Sequence, residues 1–102
     1  MYKLVVTKLA ADDLDGIVRY ITIKLANPAA ATVFLDKVEK CYQTLQETPL
    51  IYAECLAPRL KRKSYRKVMI GNFLLIYRVD AEAGTVVILR FFYGRQNYIR
   101  YL

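Results

Sequence analysis

Tyr65-Arg66-Lys67-Val68-Met69-Ile70-Gly71-Asn72-Phe73-Leu74-Leu75-Ile76-Tyr77-Arg78-Val79 sets two runs rich in β-branched and aromatic residues on either side of Gly71-Asn72. A link of that composition accepts the positive φ angles that join antiparallel strands, so the stretch predicts a β-hairpin with strands over 65–70 and 73–79. Asp80-Ala81-Glu82-Ala83-Gly84 supplies a second turn, and Thr85 to Tyr93, the most apolar run of the chain, reads as a third strand closed by Gly94. Three strands joined by short turns make an antiparallel meander.

Upstream of the meander the pattern changes. From Leu50 to Leu60 it dissolves, and Pro49 and Pro58 argue for a loop or a broken turn of helix. Before that loop, Phe34, Val38, Cys41, Tyr42 and Leu45 mark the buried stripe of a helix that Asn27-Pro28 starts and Thr48-Pro49 stops. Asn accepts from the free N–H groups of a first turn, and Pro has no N–H to leave unpaired there. Leu9, Leu14, Ile17, Ile21 and Leu25 recur near helical spacing in an earlier helix, capped by Thr7 and expected to end near Ala26. The short link makes the two an antiparallel helical hairpin, and Tyr2 to Val6 ahead of it reads as a strand. The fold class is α+β: an N-terminal strand, an antiparallel helical hairpin, then a three-stranded antiparallel meander. Packing the hairpin on one face of the meander is expected to leave the other face open.

At 102 residues the chain fits one domain, residues 1–102. No stretch approaches the roughly 18 apolar residues of a membrane span, and the start is too short for a signal peptide, so the expectation is a cytoplasmic protein without membrane contact. Histidine is absent, and Cys41 and Cys55 form no Cys-x-x-Cys, which leaves no zinc ligand set and makes both thiols candidates for the core. Asp12, Asp13, Asp15, Asp36 and Glu39 sit at helix-surface spacings and read as solvated faces, with Asp12, Asp13 and Asp15 in early turns that suit the helix dipole. Neither a metal site, a Gly-rich phosphate loop nor a serine nucleophile motif is present, and no cofactor is expected.

Charge is distributed unevenly. From Arg59 onward ten Lys/Arg stand against Asp80 and Glu82, a balance of +8, whereas the residues before Arg59 carry six bases and seven acids, a balance of −1. Such asymmetry favours contact with a polyanion or an acidic protein segment. Arg59-Leu60-Lys61-Arg62-Lys63-Ser64-Tyr65-Arg66-Lys67 holds six bases in nine residues and leads into the first strand of the meander. Alternation allows only one of Arg66 and Lys67 to lie on the open face, and a bulge would exchange them. Arg78 shares parity with Leu74 and Ile76, and Arg90 with Val86, Ile88 and Phe92, which makes Arg90 either an ion-paired sheet arginine or a ligand contact. Tyr93-Gly94-Arg95-Gln96-Asn97-Tyr98-Ile99-Arg100-Tyr101-Leu102 interleaves aromatics with arginines. Such a mixture can stack bases and pair phosphates, or Tyr98, Ile99 and Leu102 can fold a short terminal helix back onto the sheet.

Asn27-Pro28-Ala29-Ala30-Ala31, then Gly71-Asn72-Phe73-Leu74-Leu75-Ile76-Tyr77-Arg78-Val79, then Val86-Val87-Ile88-Leu89-Arg90-Phe91-Phe92-Tyr93-Gly94-Arg95 together resemble the RelE/ParE superfamily of toxins from type II toxin-antitoxin (plasmid stabilisation or addiction) modules. The likeness covers essentially the whole chain. It implies the fold just read, with the first strand joining the sheet's edge, and a cognate antitoxin that wraps and neutralises the toxin. It also implies one of two targets: mRNA on the ribosome for RelE-like members, DNA gyrase for ParE-like ones. RelE-like nucleases carry an arginine in the strand phrase Gly-Tyr-Arg-Leu-Val-Tyr, where Leu74 stands here; the lysine of the preceding strand corresponds to Lys67, the base after the strand-ending glycine to Arg95, and Gln96 falls near a second basic position. ParE-like relatives read Leu-His-Gly-Arg at the strand's end, with Tyr93 here in place of the histidine, and the long Asn-Pro-capped helix and the Ile-Leu-Arg phrase also resemble that branch.

The resemblance therefore implies a ParE-like toxin that inhibits growth through DNA gyrase, and the basic sheet face and tail are expected to form the contact, with Arg66, Lys67, Arg78, Arg90, Tyr93, Arg95 and Tyr98 touching the target. The alternative is a ribosome-dependent mRNA endonuclease in which Lys67, Arg90 and Arg95 bind phosphates while Tyr93 or Glu54 manages protons. A third reading keeps the fold as an inert partner-binding protein.

Overall fold

The computed structural model describes residues 1–102. Its elements follow the order β1 (Lys3–Val6), α1 (Lys8–Arg19), α2 (Pro28–Glu47), α3 (Pro58–Arg62), β2 (Arg66–Ile70), β3 (Phe73–Asp80) and β4 (Thr85–Tyr93), with a 3₁₀ turn over Tyr98–Tyr101. The caps form as their residue types dictate. Thr7 accepts from the Ala10 N–H at 3.1 Å, and the Asn27 carboxamide oxygen accepts from the Ala30 N–H at 3.0 Å with Pro28 opening α2. The α-helical part of α1 ends at Arg19, but the helix runs on to Lys24 and so ends near Ala26 as expected. Tyr20–Lys24 continues as a wider π turn where the β-branched run Ile21-Thr22-Ile23 crowds the helix, and Ala26 closes it at φ +48°.

The sheet has four strands in the order β1-β4-β3-β2, so the meander is extended at its β4 edge by β1, which runs parallel to β4. At the opposite edge the segment before α3 covers β2: the Lys67 N–H donates to the Ala53 carbonyl at 3.1 Å, and the Cys55 N–H to the Tyr65 carbonyl at 2.8 Å. That covering satisfies edge groups which would otherwise template association. The stretch from Leu50 to Leu60 is thus partly ordered, and its Pro58 opens α3 where a breaker was expected.

Between β3 and β4 the register shifts: Ile76 faces Arg90, Tyr77 faces Ile88, and Leu89 is the extra, bulged residue. The consequence corrects the parity expected for β4. Val86 and Ile88 face the helices together with Phe91, while Arg90 and Phe92 share the other face. Phe34, Val38, Cys41 and Leu45 of α2 close the helix-side core over Leu75, Tyr77, Val86, Ile88 and Phe91. The far face is not open as expected. Cys55, Leu60, Leu74, Ile76 and Phe92 form a second buried cluster there, roofed by Tyr65, Leu89, Tyr98 and Leu102, because α3 and the C-terminal turn fold over it.

Candidate cationic interface

β2 alternates with Val68 and Ile70 against the helix-side core, which sends Lys67 and Met69 to the far face. Arg66 shares the other parity, and its guanidinium donates to the Tyr52 carbonyl at 2.6 Å and the Leu50 carbonyl at 3.4 Å. Arg66 therefore fastens a loop, and Lys67 is the base that reaches the far face. Its Nζ lies 3.5 Å from the Tyr98 hydroxyl and 5.9 Å from that ring's centroid, an approach to the phenol oxygen rather than over the π face.

Arg90 is held by Asp13 of α1. Nε and Nη2 of Arg90 donate to the two carboxylate oxygens at 2.7 and 3.1 Å, and the Phe91 N–H adds a third bond at 3.0 Å. β1 ends at Val6, so β4 loses its strand partner beyond Ile88; the Thr7 hydroxyl donates to the Leu89 carbonyl at 3.0 Å, and Asp13 takes the next free N–H. The guanidinium lies 4.8 Å from the Phe92 ring centroid, and its hydrogen bond to Asp13 raises its pKa against the opposing effect of burial. Asp13 was expected on a solvated helix face. The bulge at Leu89 and the end of β1 instead bring β4 within its reach, a contact 77 residues away in the chain that no local pattern announces.

The other proposed contacts spread over the surface. Arg78 lies at far-face parity on β3 and makes no ion pair; Arg95 is exposed beyond β4. Tyr93 lies on the opposite side with its ring 5.8 Å from that of Phe73, and its N–H donates to the Gln96 side chain at 3.4 Å. Tyr98 packs 6.1 Å from Phe92, which makes a far-face row of Arg90, Phe92, Tyr98 and Lys67. Glu54 pairs through its backbone with Arg66 at the outer edge of β2 and forms no ion pair with it. Arg59 and Lys63, which carried no assigned role, donate to the main-chain oxygens of Ile99 and Leu102 and tie the C-terminal turn to α3.

Of the ten bases from Arg59 onward only Arg90 has a carboxylate partner; the other ion pairs, Lys8–Asp12 and Arg19–Asp15, are exposed contacts within α1. The principal clefts gather none of Arg66, Lys67, Arg78 or Arg95. The most spacious of them, about 560 Å³, lies between α1 and the ends of β3 and β4 and is lined by Asp12, Asp13, Tyr20, Phe73 and Tyr93 among others. Cationic side chains that line none of the principal clefts suit contact with another macromolecule rather than with a small substrate. Buried groups offer no nucleophile: burial pushes the Cys41 thiol up to about 11 and raises that of Cys55 despite the nearby Lys67 ammonium.

The sequence model of the family described as the ParE toxin of the type II toxin-antitoxin system parDE matches residues 4–98. No curated protein sequence matches the chain. Among solved structures, one from a chromosomal ParDE toxin-antitoxin system of P. aeruginosa superposes with a TM-score of 0.70 at 24% identity, over 91% of this chain and 96% of that one. A chain of the toxin-antitoxin complex RelBE2 of Mycobacterium tuberculosis gives 0.63 at 27% identity over 90% of each chain, and the isolated RelE toxin of E. coli 0.60 at 16% identity over 99% of this chain and 93% of that one.

Proposed function

This chain belongs to the ParE toxin family of type II toxin-antitoxin systems, and on that footing we propose that it arrests growth by binding DNA gyrase, with a cognate antitoxin as its neutralising partner. Leu74 carries the choice of target. It stands where RelE-like nucleases have an arginine, and it is buried under α3 and the C-terminal turn. A nuclease without histidine needs free cations around the developing phosphorane charge. Here one such position is an apolar core residue, and Arg90 is already neutralised by Asp13. That arrangement supports binding over cleavage. Purified protein added to gyrase and supercoiled DNA should block supercoiling or accumulate cleaved complexes; unaffected gyrase at high toxin concentration would overturn the reading.

One observation favours the mRNA endonuclease instead. Lys67 holds its ammonium 3.5 Å from the Tyr98 hydroxyl, a half-buried donor pair between β2 and the C-terminal turn. Primer extension on translated mRNA separates the two readings, since cuts in phase with codons belong only to the nuclease. The antitoxin follows from the same surface: acidic and apolar groups are needed to cover unpaired bases whose burial without partners costs several kcal/mol.

A further inference from the structure

Bases without carboxylate partners gather along α3 and the C-terminal turn. Leu60, fully buried, pins α3 to the sheet, and Arg59 and Lys63 hold beside it the turn that carries Arg100. Arg59 to Lys63 spans only about 6 Å of helix axis at 1.5 Å per residue, a charge density comparable to that of a nucleic-acid backbone. The only acids of this half are Asp80, the last residue of β3, and Glu82, in the turn that follows, and Asp80 accepts from the Ala83 N–H.

We propose that this basic surface is a binding site for the phosphodiester backbone of duplex DNA, engaged without reading bases. Two features favour a duplex over single strands. No principal cleft is lined by these residues. The rings beside that surface already carry neighbours: Tyr98 packs on Phe92, Tyr101 packs on Phe92 with the Arg100 guanidinium near its ring, and Tyr65 has the Lys63 ammonium 5.6 Å from its centroid. The inference deepens the gyrase reading, since gyrase holds duplex DNA, but it is tested with gyrase absent.

Fluorescence anisotropy of a labelled mixed-sequence duplex of about 20 base pairs, titrated with the full chain from roughly 50 to 200 mM salt, measures it. The wild type should bind with a steep salt dependence. Lys61→Gln with Arg62→Gln, both exposed and neither holding the turn, should weaken binding on the order of tenfold and flatten the log–log salt slope by about 1 to 2. Lys37→Gln with Lys40→Gln on α2 removes the same charge and should leave the slope unchanged. Thermal melting of both variants confirms their folding. The proposal is overturned by absence of binding at low salt, by equal losses from the two pairs, or by preference for a single strand of the same length. Normal gyrase activity alongside intact duplex binding would remove the gyrase reading and leave this site standing.

Discussion

Asp13 accepts three hydrogen bonds through one carboxylate, two from Arg90 and one from the Phe91 N–H, with both side chains of the pair largely out of solvent. Asp13→Ala leaves a guanidinium and a backbone N–H without partners, and should cost about 3 kcal/mol, seen as a fall in melting temperature on the order of 10 °C or more. Arg90→Ala removes the charge that needs the carboxylate, so the double variant should be less destabilised than the sum of the singles by roughly 1–3 kcal/mol. Strict additivity would show that the pair does not act as a unit. Tyr77 is the matching case on the helix side: its hydroxyl donates to the Pro49 carbonyl at 2.7 Å, and burial pushes its pKa up to about 12 from 10.0. Because the folded value lies above the unfolded one, this stabilisation is complete below pH 10 and is lost as pH rises toward about 12, with Tyr42 moved in the same direction. Denaturant titrations between neutral and pH 11 should show that loss, and Tyr77→Phe should flatten the alkaline slope while giving up about 1 kcal/mol at neutral pH.

At the level of elements, Gly94 joins the end of β4 to the β2–β3 turn. Its N–H donates to the Asn72 carbonyl at 2.8 Å, and a Cβ there would lie 2.9 Å from that oxygen and 2.8 Å from the Met69 methyl carbon. The methionine can swing aside but the carbonyl cannot. Gly94→Ala should therefore destabilise by roughly 1–3 kcal/mol, and adding Met69→Ala should not restore the loss; recovery in the double variant would place the clash in the side chain alone. Gly71-Asn72, Asn27-Pro28 and Thr7 were legible in the sequence because each shapes backbone a few residues away, whereas Gly94 could be read only as the end of β4, its partner Asn72 lying in the β2–β3 turn. Three features were not. α3 was obscured because Pro58 breaks a preceding helix and starts a following one with equal ease. The bulge at Leu89 was hidden because β4 is apolar on both faces, so alternation could not reveal the slip that puts Arg90 with Phe92. The cover over the far face depends on the Arg59 and Lys63 contacts with residues some forty positions on, and the Arg90–Asp13 pair on a contact across nearly the whole chain. The candidate bases were thus identifiable by type, while the fate of Arg66, Lys67 and Arg90 depended on register and long-range partners.

Across the whole molecule, the helical half near neutrality and the +8 half beyond Arg59 make a charge dipole that internal ion pairing leaves almost intact, since Arg90 alone is compensated. A long-range field of that kind accelerates encounter with an acidic partner and is screened by salt, whereas the contacts formed after docking depend on shape and apolar burial. The two contributions separate in kinetics. Raising salt from about 50 to 500 mM should slow association with the cognate antitoxin by an order of magnitude or more while altering dissociation only about twofold. Lys61→Glu with Arg62→Glu should reproduce most of that slowing at low salt; Lys37→Glu with Lys40→Glu, the same charge change on α2, should have a much weaker effect. Stopped-flow association and chase dissociation measure both rates. Equal slowing by the two pairs would mean that net charge, not the placement of bases on the far side of the sheet, steers the partner, and a salt effect confined to dissociation would mean that the bases act only after contact.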